Sequence, residues 1–286
     1  MGYSLAHRLS KISYPPVERV FRSIERQHFS RGSTLLDIPP YNFRLGNLGT
    51  VTYGEWCYTI GQFQTLIFMN ITSRPVRMLD IGCGVGRMYL AAKPYIQADD
   101  SFVGIDISEK SIDTCKKFYP DERLSFVHTA GSNAYYADNE LKNAEWPIES
   151  GSKNLITALS VWTHLKESDF RLYLNEVGRV LQRGGRAIVS FFILDALYKP
   201  EHKTGATSKF YPQPESTWIF DESAYGSPDW MFPSWAEVPE VAIAVTEKAF
   251  HEVLDEAGLE IAQFYPGQWK DQPGLFFQDI AVLTKK

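Results

Sequence analysis

The sequence predicts an α/β fold with a mainly parallel sheet covered on both faces, and three observations predict it. From residue 76 onward, short apolar runs alternate with segments of helical period. A glycine-rich turn, Asp80-Ile81-Gly82-Cys83-Gly84-Val85-Gly86, follows the first of those runs. The chain of 286 residues is long enough for one generous domain with additions. Alternating strand and helix is the signature of a sheet with helices on both faces, and single cores stop growing near this size.

Taken in order, Val17, Val20, Phe21 and Ile24 recur at helical spacing after Pro15-Pro16. This predicts an amphipathic helix that packs its apolar stripe as an N-terminal cover, with its arginines facing out. Residues 31–61 carry Gly, Pro and the aromatics Tyr53, Trp56 and Tyr58 with no sustained period, and are expected to be irregular. The core strands are predicted at 76–81, 101–107, 124–128, 154–160 and 186–193. Met88 and Tyr89 turn inward on the helix after Gly86, and Ser108 caps the helix that runs to Phe118, because its hydroxyl can accept a free first-turn N–H. Phe170, Leu174, Val177 and Leu181 keep helical spacing up to Gly184-Gly185. Thr246 caps a last helix that stops at Gly258, before closing strands at 259–264 and 279–283.

Between residues 195 and 245 the alternation breaks into a Pro-rich stretch with Trp218, Trp230 and Trp235. It is too long for an ordinary connection and reads as a substrate lid, or as a rigid excursion with its own aromatic cluster. The organisation expected is an N-terminal cover (1–73), a core (74–194 and 246–286) and the inserted lid (195–245).

Hydrophobic residues make up 44% and charged residues 22%, ordinary for a globular protein. A net charge of -5 disfavours a broad nucleic-acid surface. Cys57, Cys83 and Cys115 fit neither a disulfide framework nor paired zinc ligands. No run reaches membrane-spanning length and no leader is visible at the start, so a cytoplasmic protein without a membrane partner is expected. Asp221, Glu222 and Asp229 offer carboxylates, but their spacing demands no metal and none is expected.

The glycines sit where a chain leaves a buried strand and must let a ligand approach its backbone. A dinucleotide fingerprint would place the third glycine one residue later. Asp80, just before the turn, would repel a pyrophosphate but attract a cationic amino group. Asp106 ends the second strand about 20 residues beyond the turn, the place of an acid that accepts from ribose hydroxyls.

With these residues in place, the chain resembles the class I S-adenosylmethionine (SAM) dependent methyltransferases, from residue 76 to the C-terminus. Residues 79–86 are similar to the family's first motif and 104–108 to its second. Residues 154–165 are similar to its fourth-strand motif, and 180–186 to its helix-to-strand signature. The resemblance implies a Rossmann-like, seven-stranded, mostly parallel sheet flanked by helices, its last strand antiparallel. It also implies a SAM site at the carboxyl ends of the strands. Asp106, with Ile107 beside it, would grip the ribose, and Gly82, Cys83, Gly84 and Gly86 would run beside methionine and ribose. Ser160 and Val161 would lie under the methionine end. One departure stands out: after the third strand no carboxylate is available for the adenine amino group, so Ser132 or Asn133 is the candidate acceptor.

Methyl transfer from a sulfonium needs positioning and water exclusion more than a protein nucleophile. A hydroxyl acceptor gains from a base, and His164, just past the fourth strand, is the candidate for that catalytic role. The alternative for His164 is packing beside the cofactor. The function expected is methyl transfer from SAM, yielding S-adenosylhomocysteine (SAH), to an oxygen, or less favourably a nitrogen, of a small-molecule or sugar-containing acceptor. The competing readings are a non-catalytic SAM/SAH-binding module and an NAD-dependent oxidoreductase. The sequence leaves the oligomeric state open.

Overall fold

The apolar runs assemble into one seven-stranded sheet in the computed structural model, which describes residues 5–28, 37–44, 52–129, 145–200 and 218–286. The strands are β1 (Arg77–Ile81), β2 (Ser101–Asp106), β3 (Leu124–His128), β4 (Lys153–Ala158), β5 (Leu181–Phe191) and β6 (Ile193–Leu194). They continue with β7 (Glu222–Ser223), β8 (Trp230–Phe232), β9 (Ala244–Thr246), β10 (Leu259–Tyr265) and β11 (Asp279–Lys285). The helices are α1 (Leu5–His28), α2 (Tyr53–Met69), α3 (Arg87–Ala92), α4 (Glu109–Phe118), α5 (Glu167–Val180) and α6 (Glu247–Glu256).

The main sheet runs β10-β11-β5-β4-β1-β2-β3. β11 pairs antiparallel with both neighbours and the other pairings are parallel. Strand order reverses between β1 and β4, and open α/β sheets bind ligands in the crevice outside the carboxyl ends at such a reversal. Side chains of period two divide the core. Leu79, Ile81, Ile156 and Val189 pack with Phe170 and Leu174 of α5 and Phe250 and Leu254 of α6. Met78, Phe102, Leu155 and Ile188 pack on the other face with Phe63 and Leu66 of α2, Met88 of α3 and Ile112 of α4. Ser108 and Thr246 cap α4 and α6 through Ser111 N and Ala249 N, as expected.

Three local expectations are corrected. The segment read as irregular holds α2, capped by Thr52 accepting from Glu55 N at 3.2 Å. Trp56, Ile60, Phe63 and Ile67 form its buried stripe, while Gly54 and Gly61, which break the sequence pattern, point into open space. In α1 the stripe expected to pack inward faces solvent: Val17 is 65% and Val20 62% exposed. The buried face is set by charge instead, since Glu18 forms a two-bond ion pair with the fully buried Arg44, at 2.5 and 3.0 Å. Finally, α5 stops at Val180, and Leu181 already pairs with Lys153 in the sheet.

The described part of the insertion returns to the core as a small second sheet, β6-β9-β8-β7. Trp230 belongs to the main core, where it packs edge-on against Phe170 at 5.5 Å. Trp218 and Trp235 join a separate aromatic cluster with Phe192, Phe220, Trp269 and Phe277.

Candidate cofactor and acceptor site

The glycine turn leaves β1 as expected, and its three glycines have different reasons to be glycine. Gly82, Gly84 and Gly86 all have positive φ (65°, 51° and 87°), which L side chains avoid. A Cβ on Gly82 would meet Val161 Cγ2 at 2.5 Å, so the turn lies directly against the loop after β4. A Cβ on Gly86 would strike the Tyr119 ring at 2.4 Å, and Tyr119 itself donates to Val85 O at 3.1 Å. Gly86 thus serves packing beneath the turn. The Cys115 thiol donates to Gly84 O at 3.3 Å, and contact with Cys115 followed by burial pushes the Cys83 thiol well up, so Cys83 supports the turn as a neutral thiol.

Asp106 closes β2 beside the turn. Its Oδ2 accepts from Gly84 N at 2.8 Å and its Oδ1 from Ser108 N at 2.7 Å, so one carboxylate ties the turn to the α4 cap. Burial raises its pKa and these two N–H bonds oppose the rise. A carboxylate has about four acceptor sites, so each Asp106 oxygen keeps capacity for a ligand hydroxyl. Ile107 follows it and its carbonyl lies 3.1 Å from His128 Nε2. Ser132 and Asn133 lie outside the described residues.

Asp80 is 1% exposed at the end of β1. Thr157 on the neighbouring β4 donates to its Oδ1 at 2.7 Å, while Oδ2 is buried with no partner among the described residues. Burial pushes its pKa up to about 8, the Thr157 bond opposes this and the negative charge of Asp106 adds to it. An oxygen so desolvated and unpaired is the acceptor a cationic ligand group would satisfy. These features fit SAM: Asp80 would answer an ammonium and Asp106 a pair of hydroxyls, and the glycine backbone would allow close approach.

Beyond β4, Ser160 adopts φ 59°, uncommon for a residue with a Cβ. A polar ring holds it there. Ser160 N donates to Ser190 Oγ at 2.7 Å, and Ser190 Oγ donates to Gln278 Oε1 at 2.6 Å. Gln278 Nε2 donates back to Ser160 Oγ at 2.9 Å. His164 Nδ1 lies 2.7 Å from Glu240 O, a carbonyl that only accepts, so Nδ1 carries the proton and Nε2 accepts from the Ser160 hydroxyl at 3.2 Å. Burial lowers the His164 pKa to about 4 despite hydrogen bonds to the backbone of Glu240 and Val241. Gln278, the residue just before β11, gave no signal in the sequence.

Asp195 is tied up structurally: its Oδ2 pairs with the buried Lys270 at 2.7 Å, and Lys270 also pairs with Asp279 at 2.9 Å. The aromatic residues that flank the core fall in different places. Trp56 is buried with Arg87 stacked 4.7 Å from its ring, and Tyr58 is 59% exposed, so neither joins the Trp218–Trp235–Phe277 cluster, which adjoins Gln278 in sequence. Among the described residues no three His, Cys, Asp or Glu side chains gather as a metal site. No helix among them is long and apolar enough to cross a membrane.

A parallel sheet reversing at β1 and β4, with a glycine turn between two strand-end acids, is the arrangement that the resemblance to the class I SAM-dependent methyltransferases implies. Residues 79–189 match the family described as Methyltransferase domain. It is 30% identical over 125 residues to the uncharacterized methyltransferase YcgJ of Bacillus subtilis, covering 44% of this chain and 42% of that protein. The chain thus spans under half the length of this curated relative. Among solved structures, a Pyrococcus horikoshii protein superposes with TM-score 0.52 at 18% identity, over 81% of this chain and 92% of that one. A SAM-dependent methyltransferase of Leishmania major gives 0.51 at 11% identity, over 88% and 82%. At such identities these structures speak for the shared fold.

Proposed function

We propose that this chain transfers the methyl group of SAM to an oxygen, or less favourably a nitrogen, of a small-molecule or sugar-containing acceptor. The observation that carries the cofactor part is the buried, unpaired Asp80 oxygen, set with Asp106 on either side of the glycine turn. SAM, when bound, supplies an electrophilic methyl on a sulfonium. The protein's own part is to hold it: Asp80 takes the ammonium, Asp106 the ribose hydroxyls, Gly82 to Gly86 with Cys83 and Ile107 the approach surface, and Ser160 with Val161 the methionine end. Ser132 or Asn133 would accept from the adenine amino group.

The acceptor part rests on the aromatic cluster of Trp218, Trp235 and Phe277, next to the Ser160–Gln278 ring and suited to an enclosed apolar pocket. His164 is proposed to serve catalysis through Ser160: its Nε2 accepts the Ser160 proton and thereby fixes which lone pair Ser160 presents. This makes it a positioning residue. The acidic net charge favours a small acceptor over nucleic acid, and a cytoplasmic site of action goes with this reading.

Calorimetric titration with SAH, with NADH as control and Asp106→Ala alongside, tests the cofactor part. Saturable SAH binding that Asp106→Ala weakens supports it. A folded protein, free of co-purified cofactor, that takes NADH and not SAH would refute it. Turnover on any hydroxyl or amine acceptor would exclude the binding-module alternative.

A further inference from the structure

The face of the sheet that carries Leu79 is covered by α5 and α6 near β5 and β4, and among the described residues its cover thins toward β3. There Val103 and Val127 are only half-buried and Ser125 is exposed. Register places Leu79, Val103 and Ser125 side by side across β1, β2 and β3. The chain entering β4 runs along this strip and closes it into a cleft of about 560 Å³.

Two cations, Arg77 and Lys153, line the cleft together. Lys153 is 8% exposed, yet among the described residues neither side chain has a hydrogen-bond or ion-pair partner. Burial first, and then the Arg77 charge, pulls the Lys153 amine below the ordinary lysine range. Glu149 also lines the cleft but is exposed and forms no ion pair with either cation. Burying a charge without a counter-charge is costly, and here two like charges share one cleft.

The wall opposite is fixed in advance. Arg179 of α5 donates to Ile148 O at 2.8 Å and to Trp146 O at 3.1 Å. Gly151 N donates back to Arg179 O at 2.9 Å, and Glu176 Oε2 accepts from Trp146 N at 2.7 Å. The segment that brings Lys153 into the cleft is therefore pinned to a core helix.

The geometry points to a second ligand site in this cleft that takes a phosphate group, with Lys153 as a point charge and Arg77 as a fork of donors. The cleft is much larger than one phosphate, and Val103, Val127 and Ile148 give it apolar walls, so the ligand class is a small phosphate monoester. It lies apart from the glycine turn. Arg77 and Lys153 begin β1 and β4, whereas Gly82 and Ser160 follow the ends of those strands, roughly 15 Å away at strand rise.

The test is thermal unfolding and calorimetry of the full chain, without SAH and at constant ionic strength, with inorganic phosphate, ribose 5-phosphate and neutral ribose as probes. Phosphate and ribose 5-phosphate should raise the Tm saturably and ribose should not. Tighter binding of ribose 5-phosphate supports a monoester ligand, and equal binding supports free phosphate at the same site. Lys153→Met should weaken both at least tenfold while leaving the probe-free Tm no lower than wild type, because it removes an unpaired buried charge. Arg77→Gln, at an exposed position, should weaken both as well and decides the matter if the first variant does not fold. An unchanged anion effect in both variants, or none in the wild type, overturns the site. SAH affinity does not enter the readout, so this site and the methyltransferase reading stand or fall separately.

Discussion

Replacing Asp80 by Asn separates what this carboxyl costs the fold from what it gives the cofactor. Its folded pKa of about 8 lies far above the ordinary 3.8, so the folded chain binds this proton more tightly than the unfolded chain between those two values. The Asp80 contribution to stability must then fall as pH rises from about 4 to 8. At pH 7 the cost from this group is on the order of 4 kcal/mol. Asn keeps the Thr157 bond but leaves one buried amide atom unpaired, a cost of about 1–3 kcal/mol. The net expectation at pH 7 is a gain of about 1–3 kcal/mol, a Tm rise of several degrees. The gain should cross zero between about pH 4.5 and 6, turn into a loss below that, and level off above pH 8. The same variant should bind SAH about 30-fold or more weakly, since a buried charge partner is worth roughly 2–5 kcal/mol. Roughly nine in ten Asp80 carboxyls hold a proton at pH 7, so SAH binding to the wild type should release nearly one proton, seen as a buffer-dependent calorimetric enthalpy. SAH affinity that is equal in Asp80→Asn and wild type, or a wild-type affinity flat from pH 6 to 8, would refute the role given to Asp80.

Gly86→Ala should destabilise by about 1–3 kcal/mol in denaturant titration, because a Cβ at φ 87° also collides with Tyr119; with Tyr119→Leu in addition, the steric part of the loss should shrink. Gln278→Ala should release Ser160 from its φ 59° turn and lower kcat/KM for SAM, whereas Gln278→Asn, keeping donor and acceptor, should recover part of it. His164 has a folded pKa of about 4 against an ordinary 6.5, so the unfolded chain binds its proton more tightly; stability from this group is present above pH 6.5 and is lost as pH falls toward 4, by about 3 kcal/mol in all. His164→Gln should flatten that acid loss, and the wild-type pH–rate profile should show no inflection from His164 between pH 6 and 8.

The sequence by itself determined the core. Buried strand segments such as residues 187–189 are apolar on both faces of the sheet, and the glycine turn needs residues that tolerate positive φ, so both leave marks along the chain. Asp80 and Asp106 were legible for the same reason, being fixed by their distance from that turn. Other features depended on partners distant in sequence. The α1 stripe was read as buried because periodicity reports which residues are apolar and not which face meets the protein; the Glu18–Arg44 pair, 26 residues apart, decided the face. Helix α2 stayed hidden because Gly54 and Gly61 weaken its pattern at no packing cost on its open side. Gln278 reaches Ser160 across 118 residues, and Lys153 meets Arg77 across a cleft that exists only once β1 to β4 are paired. Short-range backbone demands are written in neighbouring residues, whereas hydrogen-bond partners and charge neighbours are set by strand order, which only the assembled sheet provides.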